Sequence, residues 1–139
     1  MRLVVTGIVL FLIASCQVGD EVKRVDHSIF LHDKSSKVWL VDKKLQGNKD
    51  FTPLEFQYRE IIVFHKNGNV YFYKLNTLGT RRGYKMSFSL DWEKREFLLE
   101  NPSMTRKFKV NSLGRERFVI TSTAKDYNYK LVLIPFPEY

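Results

Sequence analysis

The residue best placed to do chemistry is Cys16, the only cysteine of the 139 residues. It follows Met1-Arg2-Leu3-Val4-Val5-Thr6-Gly7-Ile8-Val9-Leu10-Phe11-Leu12-Ile13-Ala14-Ser15. One basic residue leads, a short apolar run follows, and two small residues close the stretch. That order is the pattern of a secretory signal peptide. The apolar run is about half the ~20 residues that a membrane-spanning helix needs. A signal peptidase needs small side chains at its cut, because the extended backbone must enter its site. A thiol is the one side chain here that takes a stable thioether at neutral pH. The alternatives are a plain secretory signal and an apolar first helix with an incidental cysteine.

Other reactive side chains do not assemble into a recognisable site. His27, His32 and His65 have no carboxylate or cysteine at metal spacing, so they are expected to be solvated and no metal is expected. Ser35, Ser36, Ser87, Ser89, Ser103, Ser112 and Ser122 sit in no nucleophile-elbow motif. There is no glycine-rich phosphate cradle. Glu93 and Glu96 read as ordinary surface beside a strand. The expectation is therefore no catalytic residue, no cofactor and no enzyme activity.

The elements that would position any site are strands. Aromatic residues make up 14% of the chain, and such enrichment favours β-structure. Asp33 to Ser36 is a turn cluster, and Lys37 to Asp42 follows as the first strand. Leu45 to Asp50 reads as a polar loop. Thr52-Pro53-Leu54-Glu55 carries a capping-box pattern, which predicts one short helical turn. Arg59 to Phe64 and Asn69 to Leu75 flank Asn67-Gly68, a hairpin turn expected to use positive φ angles. Tyr84, Met86, Phe88 and Leu90 alternate with Lys85, Ser87 and Ser89. Further strands are expected at Arg95–Glu100, Arg106–Asn111, Arg117–Ser122 and Tyr129–Ile134, with Pro135 and Pro137 ending the last.

This makes about eight strands with turn signals roughly every 8–12 residues, the spacing of an antiparallel meander. Such strands must close or pair with a second sheet to hide their edges. The expected fold is all-β, an eight-stranded antiparallel up-and-down barrel. A β-sandwich is the alternative. The length suits one domain, and a single cysteine leaves no internal disulfide.

Ile13-Ala14-Ser15-Cys16 resembles the lipobox of bacterial lipoproteins. The resemblance implies cleavage before Cys16 and attachment of acyl chains to it, which would anchor the protein to a membrane. Gln17, in place of an Asp, then leans toward the outer membrane. Asp20-Glu21 resembles the acidic signals that send some lipoproteins to the cell surface. The formal net charge of +8 would suggest nucleic acid for a cytosolic protein. An exported lipoprotein meets phospholipid headgroups and wall polymers instead, so nucleic acid is not expected. Two uses of the charge stay open: contact with such partners, as at Arg81-Arg82 and Arg106-Lys107-Lys109, or plain solvation of the surface.

Ser36-Lys37-Val38-Trp39 and Ile62-Val63-Phe64-His65-Lys66-Asn67-Gly68-Asn69-Val70 resemble the early tryptophan strand and the first hairpin of lipocalin-like small lipoproteins of bacteria. The resemblance spans Lys37 to Phe136 and implies a barrel that binds a small apolar ligand. The expected organisation is a signal at 1–15, a lipidated tether at 16–35 and a lipocalin-like barrel at 36–139. Ser28 to His32 is an apolar patch expected to pack across one barrel end. Trp39, Phe64, Met86, Phe88, Phe97, Phe108 and Leu131 form the expected inward set. They would line a ligand calyx or fill the barrel as a core. Two functional readings follow. One is a carrier or sensor of a small hydrophobic molecule. The other is a protein-interaction module, as an accessory subunit of an envelope complex or an enzyme inhibitor.

Overall fold

A computed structural model describes residues 26–122 and 124–136. Cys16, residues 1–15 and the tether up to residue 25 lie outside the described residues, as do residues 137–139. The described chain begins with a four-residue helix, α1 (Ile29–His32). Nine strands follow: β1 (Ser36–Gln46), β2 (Lys49–Asp50), β3 (Glu60–His65), β4 (Asn69–Lys74), β5 (Tyr84–Asp91), β6 (Glu96–Asn101), β7 (Met104–Leu113), β8 (Phe118–Thr121) and β9 (Lys130–Pro135).

Strands β3 to β9 pair antiparallel in sequence order, and β1 joins β3 to β9. The result is a closed eight-stranded barrel, with β2 as a short hairpin on the end of β1. Closure settles the choice between barrel and sandwich. β1 can serve both neighbours because it is long. Its first half pairs with β3 from Ser36 to Leu40, and Trp39 to Leu45 pair with β9. Register slips between Val41 and Lys43 in β1 and between Val110 and Ser112 in β7. One extra residue on a strand bends it and sharpens its twist, which helps a sheet curl shut.

Alternation fills the interior. Trp39 and Val41, Ile62 and Phe64, Phe97 and Leu99, Phe108 and Val110, Phe118 and Ile120, and Leu131 and Leu133 all belong to one buried cluster. Lys85, Ser87 and Ser89 face solvent between Met86, Phe88 and Leu90, as the period of two requires. Full burial of each large apolar side chain contributes ~1.5–3 kcal/mol. Among the described residues the cluster, the strand pairs that close the barrel and α1 form one continuous core.

Three local expectations change. The first strand runs past Asp42 to Gln46, because Lys43, Lys44 and Leu45 find partners on β9. The capping box at Thr52 does not form. The Thr52 hydroxyl accepts from the Lys44 amide at 3.0 Å, and the Thr52 amide donates to Asp50 at 2.8 Å. The helical turn comes later, as a 3-10 turn at Phe56–Tyr58. In the β3–β4 hairpin only Gly68 takes a positive φ, of 92°. Asn67 instead accepts the Asn69 amide through its side chain at 3.0 Å.

The two ends of the barrel differ. One is closed by α1 together with the β3–β4, β5–β6 and β7–β8 turns. There the Trp39 indole N–H donates to the Leu31 carbonyl at 3.0 Å, and both residues are fully buried. Lys37 lies 4.3 Å from the centre of the Trp39 ring and donates to the Arg115 carbonyl at 2.7 Å. Burial, only partly offset by Asp33 and Glu116, holds the Lys37 ammonium below its ordinary range. Ser28–His32 thus packs across an end, as its apolar residues require. The loops at residues 47–59, 75–83, 102–103 and 124–129 surround the other end.

Candidate functional site

Between the closed end and those four loops lies a cavity of about 280 Å³. Its walls come from inward residues of all eight barrel strands. Phe64, Phe97 and Phe108 meet it on the side of the closed end, and Ile62, Met86, Leu99 and Leu131 continue upward. Phe72, Ile120 and Leu133 complete the apolar lining. Trp39 and Phe88, both expected to contact a ligand, do not line it. Trp39 lies 6.2 Å from Phe118, and Phe88 stands edge-on to Phe64 at 5.0 Å, in the packed base. The expected inward set therefore splits. Phe64, Met86, Phe97, Phe108 and Leu131 reach the cavity, and Trp39 and Phe88 support it from below.

The mouth is where polar groups collect. Lys44, Glu60, Tyr84, Met104, Arg106 and Tyr127 line it. The β1 bulge turns Lys44 inward: without the extra residue at Asp42, Lys43 would take that place. β7 outruns β8, since their pairing starts only at Lys109. Residues 124–129 lie against the unpaired start of β7. Tyr127 fills that gap, edge-on to Phe108 at 6.1 Å, with Arg106 over its ring at 4.2 Å. Lys44 Nζ stands 4.6 Å from the Tyr129 ring centre and 5.5 Å from that of Tyr127. Burial, and next the Glu60 charge, push the Tyr127 hydroxyl up to about 12, so it is neutral at ordinary pH.

A second hollow, of about 590 Å³, lies over the same overhang on the outside of β6 and β7. It is larger and lined mostly by charged residues, Lys94, Arg95, Lys107 and Lys109 among them. It shares Met104, Arg106 and Phe108 with the interior cavity. The interior cavity is the better ligand site, because a small molecule needs enclosed apolar walls with a few placed polar groups.

Apolar side chains also gather outside the mouth. Phe51, Leu54, Phe56, Tyr58, Leu78, Tyr84 and Met104 are exposed there, with Leu54 fully so. Among the described residues Val38 is the one large exposed apolar side chain elsewhere.

The histidines do not join this site. His32 is buried beside the closed end and accepts the Lys34 amide through Nδ1 at 3.0 Å. It is thus not solvated as expected. His27 stacks on Trp92 at 4.0 Å, and His65 stands edge-on to Tyr71. Among the described residues, no cluster of His, Cys, Asp and Glu has the makings of a metal site.

Strand alternation carries the signal for most of the wall residues missed by sequence reasoning. Ile62, Phe72, Leu99, Ile120 and Leu133 each stand two residues from another inward side chain. The mouth had no such signal. Lys44 depends on a bulge, and Tyr127 sits in a stretch that reads as a plain turn. No protein-family model matches the sequence, and no curated protein matches it.

Proposed function

We propose that this protein is a lipoprotein, anchored to the bacterial outer membrane by acyl chains on Cys16, whose lipocalin-like barrel holds a small hydrophobic molecule. The observation that carries the binding role is the apolar cavity of about 280 Å³ inside a closed barrel. Ligand sites usually span ~300–1,000 Å³, so the cavity lies just under that range and suits a small molecule only. The lining supports binding: apolar side chains form most of it, and a few polar groups collect at the mouth. The anchor rests on the sequence around Cys16. No helix among the described residues is long and apolar enough to cross a membrane.

Native mass spectrometry of the full chain, purified from its own cells, tests the binding role. A bound small lipid or other apolar molecule is expected, and it should be lost from Met86→Trp, which fills the cavity. A bare parent protein that also takes up no apolar probe would overturn the role. For the anchor, Cys16→Ala should leave the membrane fraction, and its retention there would refute lipidation.

The exposed apolar rim favours a second reading, a protein-interaction module. A photoreactive residue at Leu54 that crosslinks one envelope protein, in cells where the cavity is empty, would decide for it.

A further inference from the structure

We infer that the molecule held in the cavity is an anionic single-chain amphiphile, its chain inside the barrel and its head between Lys44 and Arg106. This rests on the binding role proposed above and adds the chemistry of the head group.

The argument starts from two cations at the mouth of an apolar cavity. Lys44 and Arg106 both line it, from β1 and β7. Among the described residues the ion pairs are Arg59 with Asp42 and Lys107 with Glu96, and neither mouth cation takes part. Each rests instead on an aromatic face: Arg106 on Tyr127, Lys44 on Tyr129 and, more distantly, Tyr127. An aromatic face holds a cation in place without neutralising it. Glu60 is the one carboxylate in the lining, so two positive charges face one negative charge. Tyr127, neutral, adds a hydroxyl at the same place. An anion placed here gains charge-assisted hydrogen bonds at a partly dehydrated site, where they are strong. A cationic head would meet like charge on both sides.

The space below fixes the chain. At the ~30 Å³ that a liquid water occupies, a volume close to that of a methylene, the cavity takes roughly nine chain atoms. Arg106 also borders the outer hollow, so a head group seated on it faces water while its chain does not.

The test titrates the full chain with decanoate, decanol and decyltrimethylammonium by calorimetry at pH 7.5. Decanoate is expected to bind at least tenfold more tightly than decanol. Decyltrimethylammonium is expected to bind most weakly. The decanoate advantage should vanish in the Lys44→Met, Arg106→Met double variant, persist in Lys44→Arg and shrink at high salt. Equal affinity for decanoate and decanol in the parent would overturn the head-group assignment and leave the cavity role standing. Failure of all three to bind would overturn the cavity role itself. If the double variant does not fold, as judged by circular dichroism, the comparison of three head groups on the parent still decides.

Discussion

Replacing Trp39 by Phe tests the account of the closed end. Trp39 is fully buried, and its indole N–H is the donor to the Leu31 carbonyl at 3.0 Å. Phe keeps an aromatic ring but removes that donor. The carbonyl is left buried without its partner, which costs about 1–3 kcal/mol. About two buried ring carbons go as well, each contributing ~0.8 kcal/mol. The Lys37 ammonium, 4.3 Å from the ring, keeps only a weaker aromatic partner. Together these give a loss of about 3–4 kcal/mol, a large part of the ~5–15 kcal/mol that holds a typical domain. Urea unfolding followed by far-ultraviolet circular dichroism reads the loss directly. At an m-value of ~2 kcal/mol/M the midpoint should fall by about 1.5–2 M. Trp92→Phe is the control. Trp92 is half-buried, stacked on His27 at 4.0 Å and lying 3.5 Å from Arg95. Its loss should move the midpoint by less than ~0.5 M. A Trp39→Phe shift as small as that of the control would refute the view that Trp39 locks the closed end.

Gly68→Ala should cost about 1–2 kcal/mol, since an L-residue resists its φ of 92°. The new methyl group would meet the Phe88 carbonyl at 3.9 Å, an ordinary contact, so the cost comes from the backbone alone. Thermal unfolding checks it, and an unchanged melting temperature would contradict it. Phe97→Ala should lose ~3–5 kcal/mol in urea unfolding, because Phe97 touches Phe118 at 5.3 Å and Phe64 at 5.9 Å in the core. Ser89→Ala, on the solvent face of the adjoining strand, should stay within ~0.5 kcal/mol. Tyr127 makes a prediction in pH. Its folded hydroxyl is held at about 12, above the ~10 of an unfolded chain, so the folded state keeps that proton longer. Its contribution to stability is complete below pH 10 and is lost as pH rises towards 12. Lys37, held low by burial, slopes the opposite way, below its ordinary range. The comparison is therefore parent against Tyr127→Phe in urea unfolding at pH 9.5 and 12. The parent should lose more stability over that interval, and parallel losses would argue against a buried hydroxyl.

Much of the barrel was legible because strand pleating imposes a period of two. Tyr84 to Leu90 shows it plainly: Met86 is buried while Lys85, Ser87 and Ser89 face water. Tyr84 shares the period of Met86 yet is 52% exposed, since it stands at the mouth, where the barrel no longer encloses it. Composition cannot report position along a strand. Register shifts are equally silent, because a bulge at Asp42 is set by how two neighbours must be paired at once. Lys44 reaches the cavity for that reason, although nothing in Lys43-Lys44 distinguishes one lysine from the other. The capping pattern at Thr52 was real chemistry used elsewhere, since a nearby strand amide claimed the hydroxyl. The aromatic cluster was foreseen as a group. Its division into base and wall depends on height within the barrel, which only the closed fold defines.

The helix at Ile29–His32 also gives the molecule a polarity. Asp26 to Ser28 border the β5–β6 turn, so the chain enters the barrel at its base, diametrically opposite the opening. The described chain therefore begins at the base. Under the proposed anchor at Cys16 the molecule is a cup tethered by its foot. Its rim, with the apolar side chains it displays, stands at the far end from the point where the tether joins.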